Sequence, residues 1–86
     1  MTWTNPKAKE LYDKILSLSL IFHIRIVLGY ASSSKVVVSI PNVDLLIPFA
    51  NAVGYSNVDI RPSANCITFH DIDLTIEEMM AFDLMF

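Results

Sequence analysis

The chain offers few side chains for metal binding or nucleophilic catalysis: His23, Cys66, His70 and Asp71. None has a recognised ligand spacing such as Cys-x-x-Cys or His-x-x-x-His. Cys66 and His70 are four residues apart, which on a strand separates them by about 13 Å, too far for proton transfer to a nucleophile. We therefore predict no metal ion, no cofactor and no catalytic residue, and the sequence favours a protein that is not an enzyme.

Polar residues are predicted to gather on one face of a sheet. Residues 22–29, FHIRIVLG, alternate with the period of a strand that has two unlike faces. Residues 35–40, KVVVSI, fit a hairpin with this strand when paired residue numbers sum to 64, so that Leu28 lies opposite Val36. Residues 58–70 predict a second hairpin around a Pro-Ser-Ala-Asn turn. The predicted polar face of the sheet comprises His23, Arg25, Lys35, Asp59, Arg61 and His70.

That polar face leaves one alternative function open, a small enzyme or an enzyme's small subunit. A histidine whose pKa lies far from its ordinary value of about 6.5 would support this alternative. A nucleic-acid partner is disfavoured because the pI is about 5.0. In addition, Phe22 and Phe69, which could stack on bases, fall on the opposite face.

The helices that must support this sheet have clear end signals. Asn5 suits an N-cap, and the proline after it suits the first helical position. Residues 45–55, LLIPFANAVGY, predict a short helix that ends at Gly54. In the last helix, Thr75 and Glu78 form a predicted capping box.

These elements follow the order α-β-β-α-β-β-α. We predict one small α+β domain over residues 1–86, an antiparallel sheet with helices packed on one face. A weak internal repeat accompanies this order, since VSIPNVDLLIPFANAV resembles ITFHDIDLTIEEMMAF, twenty-nine residues later. It indicates either a duplicated ββα unit, residues 22–53 and 57–86, or two similar solutions to one packing problem.

The composition predicts contact with another chain. Hydrophobic residues make up 53% of the 86 residues and charged residues 17%, against roughly 25% charged in an average soluble domain. A domain this small cannot bury so much apolar surface. We therefore predict self-association, as a homodimer.

The apolar stretch over residues 15–31 is a poor membrane segment. It has about seventeen residues, the short limit for a span, and a central Arg25 costs about 2.5–3.5 kcal/mol on insertion. We predict no membrane span and no signal peptide. With a single cysteine, no intrachain disulfide forms, which favours a reducing, cytoplasmic location.

The C-terminal segment MMAFDLMF is apolar over too wide an arc for one buried stripe. Aromatic residues and methionine are enriched in interface cores. We predict a non-catalytic protein that self-associates through this helix; the alternative is that the helix fills the core. The predicted interface residues are Met79, Met80, Phe82, Met85 and Phe86.

Acidic residues are concentrated at the same end of the chain. The final sixteen residues carry a charge of −5 and the rest +2, which together give the net charge of −3. Acids stabilise helix N-termini, which explains part of this pattern. By analogy of size and charge, a second hypothesis is an acidic inhibitor of a larger protein machine, of the immunity or phage-borne anti-defence kind. Its predicted contacts are Asp71, Asp73, Glu77 and Glu78.

Overall fold

The first helix, α1 (Pro6–Ile21), begins where the sequence predicts. The computed structural model describes residues 3–85, and the side chains of residues 3–84. The Asn5 side chain accepts a hydrogen bond from the Lys7 N–H at 3.0 Å. Pro6 takes the first helical position, where a missing N–H removes no helical hydrogen bond. The stripe that α1 buries consists of Ala8, Leu11 and Ile15.

The opposite side of α1 is charged and faces solvent. Lys9 contacts Asp13 at 2.8 Å, and Lys14 contacts Glu10 at 3.3 Å, both one helical turn apart. The apolar stretch over residues 15–31 is divided between the end of this helix, a turn and a strand. Within residues 3–85, no helix combines the length and the apolar character that crossing a membrane requires.

The turn that follows α1 shortens the first strand. The chain leaves the helix through a Schellman turn, in which the N–H groups of His23 and Ile24 donate to carbonyls of the last turn at 3.3 and 3.1 Å. His23 has a φ of +54°. The strand predicted over residues 22–29 is therefore limited to β1 (Val27–Ala31).

β1 and β2 (Val36–Ser39) form the predicted hairpin in a different register. The predicted pairing, with residue numbers that sum to 64, is wrong. Leu28 lies opposite Val38, and Ala31 lies opposite Val36. Two features of the backbone cause the shift.

The first feature is the turn, which is tighter than expected. The Ser32 N–H donates to the Lys35 carbonyl at 2.8 Å, so the residues before Ser32 join the strand instead of a loop. The second is a bulge at Gly29, which gives β1 one unpaired residue. After the bulge Tyr30 pairs with Val37 and points to the outer face of the sheet.

The remaining elements are α2 (Leu46–Val53), β3 (Val58–Arg61), β4 (Cys66–Phe69) and α3 (Ile76–Met85). The predicted order α-β-β-α-β-β-α is confirmed. The four strands form one antiparallel sheet in the spatial order β1-β2-β4-β3. β1 and β3 are therefore the edge strands.

The second hairpin and α2 follow their local sequence signals. Ile67 and Phe69 on β4 point inward and are fully buried, as predicted. Asn65, in the turn between β3 and β4, has a φ of +52°, which asparagine tolerates better than most residues. Gly54 ends α2 at a φ of +70°, with its N–H on the Ala50 carbonyl.

The helices cover one face of the sheet. Inward residues of β2 and β4 lie beneath α1 and α2 in a single apolar cluster, to which α3 contributes Phe82. The side chains that are fully buried in this cluster include Ile15, Val36, Val38, Ile40, Leu46, Phe49, Ile67 and Phe69. Among the described residues, no helix packs on the outer face.

The sheet pairing coincides with the weak internal repeat. Val38 and Ile67, which are twenty-nine residues apart, lie opposite each other on the two central antiparallel strands. α2 packs against β3 and β4, whereas α3 packs against β1. A local two-fold axis between Val38 and Ile67 would relate the two hairpins and their helices, while the duplication itself stays a prediction.

Candidate functional site

The start of α3 is held by a capping box, as the sequence predicts. The Glu78 N–H donates to Thr75 Oγ1 at 3.2 Å, and the Thr75 N–H donates to Glu78 Oε1 at 2.8 Å. Glu78 also reaches the N-terminal segment. Its Oε2 accepts the N–H groups of Thr4 and Asn5, both at 3.2 Å. One carboxylate therefore joins the N-terminal segment to the start of α3.

Glu78 is fully buried under the segments that it joins. Burial raises the pKa of its carboxyl, but hydrogen bonds from the backbone of Thr75, Asn5 and Thr4 favour the ionised form more strongly. The pKa of Glu78 is therefore lowered from its ordinary value of 4.5. These contacts give Glu78 a structural role and remove it from the predicted acidic contact surface.

Three of the predicted acidic contacts are exposed: Asp71, Asp73 and Glu77. Asp71 accepts a hydrogen bond from the Asn57 side-chain amide and has a φ of +53°. The Asp73 carbonyl accepts the Asn5 side-chain amide at 2.9 Å. These two hydrogen bonds hold the loop before α3 in place, and all three acidic residues remain exposed.

One side of α3 completes the core. Phe82 is fully buried and stands edge-on to Trp3 and Tyr12, with ring centroids 6.1 and 5.4 Å away. Trp3 and Tyr12 also contact each other, at 5.1 Å. Phe82 thus belongs to the core in the way that the alternative hypothesis proposes, which removes it from the predicted interface set.

The other side of α3 presents apolar side chains to solvent. Ile76, Met80 and Leu84 recur at four-residue spacing and are 73%, 57% and 80% exposed. Met79 is half-buried beside them. The Met85 side chain and Phe86, two further predicted interface residues, lie outside the part of the chain that is described.

Acidic residues border this apolar face. Glu77 and Asp83 are exposed on its two sides, and α3 has no basic residue. A groove of about 370 Å³ runs along one side, between α3 and β1. We call Ile76, Met80 and Leu84 the α3 face.

The outer face of the sheet is the second candidate surface. Two rows of paired side chains cross it, and the row nearest the centre contains Tyr30, Val37, Thr68 and Asp59. The adjacent row contains Val27, Ser39, Cys66 and Arg61. Thr68, in the middle, is buried by its neighbours. This face therefore mixes apolar and polar side chains.

The predicted polar residues are only partly brought together on the sheet. Asp59 and Arg61 share this face and form an exposed ion pair, with Oδ2 and Nε 3.2 Å apart. The Lys35 ammonium lies 5.5 Å from the centre of the Tyr30 ring. Arg25 precedes β1 and is exposed. His70 follows the last residue of β4 on the outer side.

The prediction that His23 lies on the sheet is wrong. His23 occupies the left-handed turn after α1, before the strand starts. Within the described chain, no three histidine, cysteine, aspartate or glutamate side chains are grouped closely enough to hold a metal ion. Cys66 carries a free thiol.

Sequence reasoning missed two parts of these surfaces. Ile76 lies outside the predicted interface set, although its four-residue spacing to Met80 and Leu84 is visible in the sequence and marks one helix face. Tyr30 lies between the two predicted strands, 22–29 and 35–40, and the bulge that turns it outward has no sequence signal beyond a single glycine. Comparison of the chain with family models, with curated proteins and with solved structures finds no match.

Proposed function

We propose that this protein is a non-catalytic interaction protein that forms a dimer through the α3 face. The observation that carries the proposal is the exposure of Ile76, Met80 and Leu84 on a helix whose opposite side is buried. Contiguous exposed apolar patches on small proteins mark interaction sites more often than they mark ordinary surface.

The apolar area of the α3 face favours a weak dimer. Complete burial of a large apolar side chain contributes about 1.5–3 kcal/mol. The three side chains are already partly covered, so both copies together contribute on the order of 6–12 kcal/mol. Association costs about 4–15 kcal/mol in lost freedom of motion. Burial of the α3 face alone therefore contributes about as much free energy as association costs, and additional contacts would stabilise the dimer.

The charges beside the α3 face make this proposal testable by salt. In a symmetric dimer, Glu77 and Asp83 of one copy approach the same acids of the other. Salt screens that repulsion, so dimerisation should strengthen as ionic strength rises.

A second candidate function uses the same acids with a basic protein as partner. The exposed Asp71, Asp73, Glu77 and Asp83, at an end of the chain without basic residues, favour an inhibitor that binds a basic protein. Salt has the opposite effect here, since it weakens attraction between unlike charges. Neutralising these acids would leave a dimer intact or strengthen it, but would weaken binding to a basic protein.

The first test is the mass in solution, measured by light scattering behind a sizing column over a range of concentrations. We expect a concentration-dependent rise toward twice the chain mass of 9.7 kDa. Met80→Glu should shift this rise to at least tenfold higher concentration, because it places a carboxylate in the centre of the α3 face.

Ile47→Glu is the matched control, since Ile47 on α2 is 53% exposed and Met80 is 57% exposed. It should leave the dimer unchanged. A wild-type monomer at every concentration contradicts the proposal. So does a Met80→Glu variant that dimerises as strongly as the wild type.

A further inference from the structure

β1 is an edge strand with one side available for pairing. It pairs with β2, and in the described part of the chain no other strand lies beside it. The N–H and C=O groups that point away from β2 form a row that a second strand can pair with. Proteins usually block such edges with charged residues, proline or β-bulges.

The two edges of this sheet differ in that respect. β3 carries Asp59 and Arg61 and is followed by Pro62, so its edge is protected. β1 has the sequence VLGYA, without charge or proline. Val27 and Tyr30 on β1 are about half exposed. The one irregularity is the bulge at Gly29, and this glycine is itself exposed.

The β1 edge and the α3 face lie on the same side of the molecule. Gly29, Tyr30 and Ala31 form one wall of the groove between them, while Met79 and Met80 form part of the other. A single two-fold axis can therefore bring both surfaces into contact with their counterparts. Burial of the α3 face contributes about as much free energy as association costs, and strand pairing supplies additional contacts.

We infer that β1 pairs antiparallel with β1 of a second copy, so that the dimer contains one continuous eight-stranded sheet with the two α3 helices side by side. This inference rests on the proposed self-association and specifies its geometry. Val27 and Tyr30 of both copies then lie next to the new strand pair, where they lose part of their exposure to water.

The free-energy balance supports a second copy as the occupant. Burial of the α3 face contributes about as much free energy as association costs, and pairing of the β1 edges about the same two-fold axis adds backbone hydrogen bonds to it.

A lysine on the exposed edge tests the pairing. Val27→Lys adds a charge to β1, and Val43→Lys is its control, since Val27 and Val43 are both 48% exposed. Light scattering over a range of concentrations should show a dimer dissociation constant at least tenfold higher for Val27→Lys. Val43→Lys should dimerise like the wild type.

Amide hydrogen exchange on the wild type provides a test without substitution, in case Val27→Lys does not fold. Those amides of residues 28–31 that point away from β2 should exchange at least tenfold more slowly at dimer concentrations than at monomer concentrations. A dimer whose β1 amides exchange equally at all concentrations overturns the strand pairing and leaves association through α3 in place. The same conclusion follows if Val27→Lys and Val43→Lys dimerise equally. A wild-type monomer at every concentration overturns both proposals.

Discussion

Replacing Glu78 with glutamine tests whether one buried carboxylate joins the N-terminal segment to the start of α3 and thereby stabilises the fold. Oε1 accepts the Thr75 N–H at 2.8 Å, and Oε2 accepts the N–H groups of Thr4 and Asn5 at 3.2 Å. Glutamine has nearly the same shape, but one of its two acceptors is replaced by an NH₂ donor. In either orientation of the amide, at least one backbone N–H loses its acceptor and faces another N–H.

The size of the effect follows from these hydrogen bonds. A buried donor left without an acceptor costs about 1–3 kcal/mol. The hydrogen bonds that remain no longer have a charged acceptor, and hydrogen bonds to a charged group are roughly twice as strong as neutral ones. We expect Glu78→Gln to lower the free energy of unfolding by about 2–3 kcal/mol. For a domain of this size, Tm should fall on the order of 10–20 °C.

The effect should depend on pH in a defined direction. Because the pKa of Glu78 lies below 4.5 in the folded chain, the ionised carboxylate stabilises the fold fully above the unfolded-state pKa. That contribution is lost as the pH falls through the folded-state pKa. Glu78→Gln has no carboxyl to protonate. The difference in stability between the wild type and this variant should therefore be largest at neutral pH and shrink in acid.

The assay is thermal unfolding followed by circular dichroism at a series of pH values. Glu77→Gln is the matched control, since Glu77 is exposed in the same helical turn and interacts mainly with the helix dipole, worth about 0.3–1 kcal/mol. Wild-type stability in Glu78→Gln at neutral pH would refute the reasoning. If the stability difference between the wild type and Glu78→Gln stays constant as the pH is lowered into the acid range, the pH dependence does not come from this carboxyl.

Two further substitutions test the fold around the candidate surfaces. His23→Gly should raise the free energy of unfolding by about 1 kcal/mol in a denaturant titration, because His23 has a φ of +54° and glycine adopts this conformation without a Cβ clash. His23→Ala keeps the Cβ and should show no such gain. Equal stability of the two variants would count against the explanation. Phe82→Ala should cost about 3–5 kcal/mol and shift the fluorescence of Trp3, because it empties the space beside Trp3 and Tyr12. Leu84→Ala on the exposed side of the helix should change stability by less than about 0.5 kcal/mol, and similar losses for the two variants would contradict the assignment of Phe82 to the core.

The parts of the fold that could be predicted have local causes. The cap at Asn5, the stop at Gly54 and the capping box of Thr75 and Glu78 each depend on residues within four positions of one another. The inward positions of β4 follow from strict alternation in a short strand between a turn and a helix. Such signals are complete within a window that a single sequence displays.

The errors occur where a local pattern has two structural solutions. The alternation after α1 fits a strand, but the apolar residues of its first half pack equally well in a Schellman turn, where His23 stands in place of the usual glycine. Gly29 fits either an ordinary strand residue or a bulge, and the bulge reverses the faces of the residues after it. Tyr30 therefore reached the outer face without a sequence signal.

Glu78 shows a different limit of prediction from the sequence, which is contact between distant positions. Its capping partner Thr75 is three residues away, but its contacts to Thr4 and Asn5 join positions more than seventy residues apart. The sequence presents it as one of several acids near a helix start. Its burial is decided by where the N-terminal segment lies, and pairings at that separation leave no periodic trace.

Within residues 3–84, the most exposed large apolar side chains lie at two places, the end of α1 and the α3 face, and their surroundings distinguish these places. Leu20 and Ile21, at the end of α1, are strongly exposed, but they lie before a turn whose backbone N–H groups are already hydrogen-bonded within the helix. The α3 face instead borders a strand edge without charge or proline, and the groove between them is lined from both sides. Burial of apolar side chains there can be combined with new backbone hydrogen bonds, whereas burial at the end of α1 cannot. That difference, rather than apolar area alone, is why we assign association to α3 and β1.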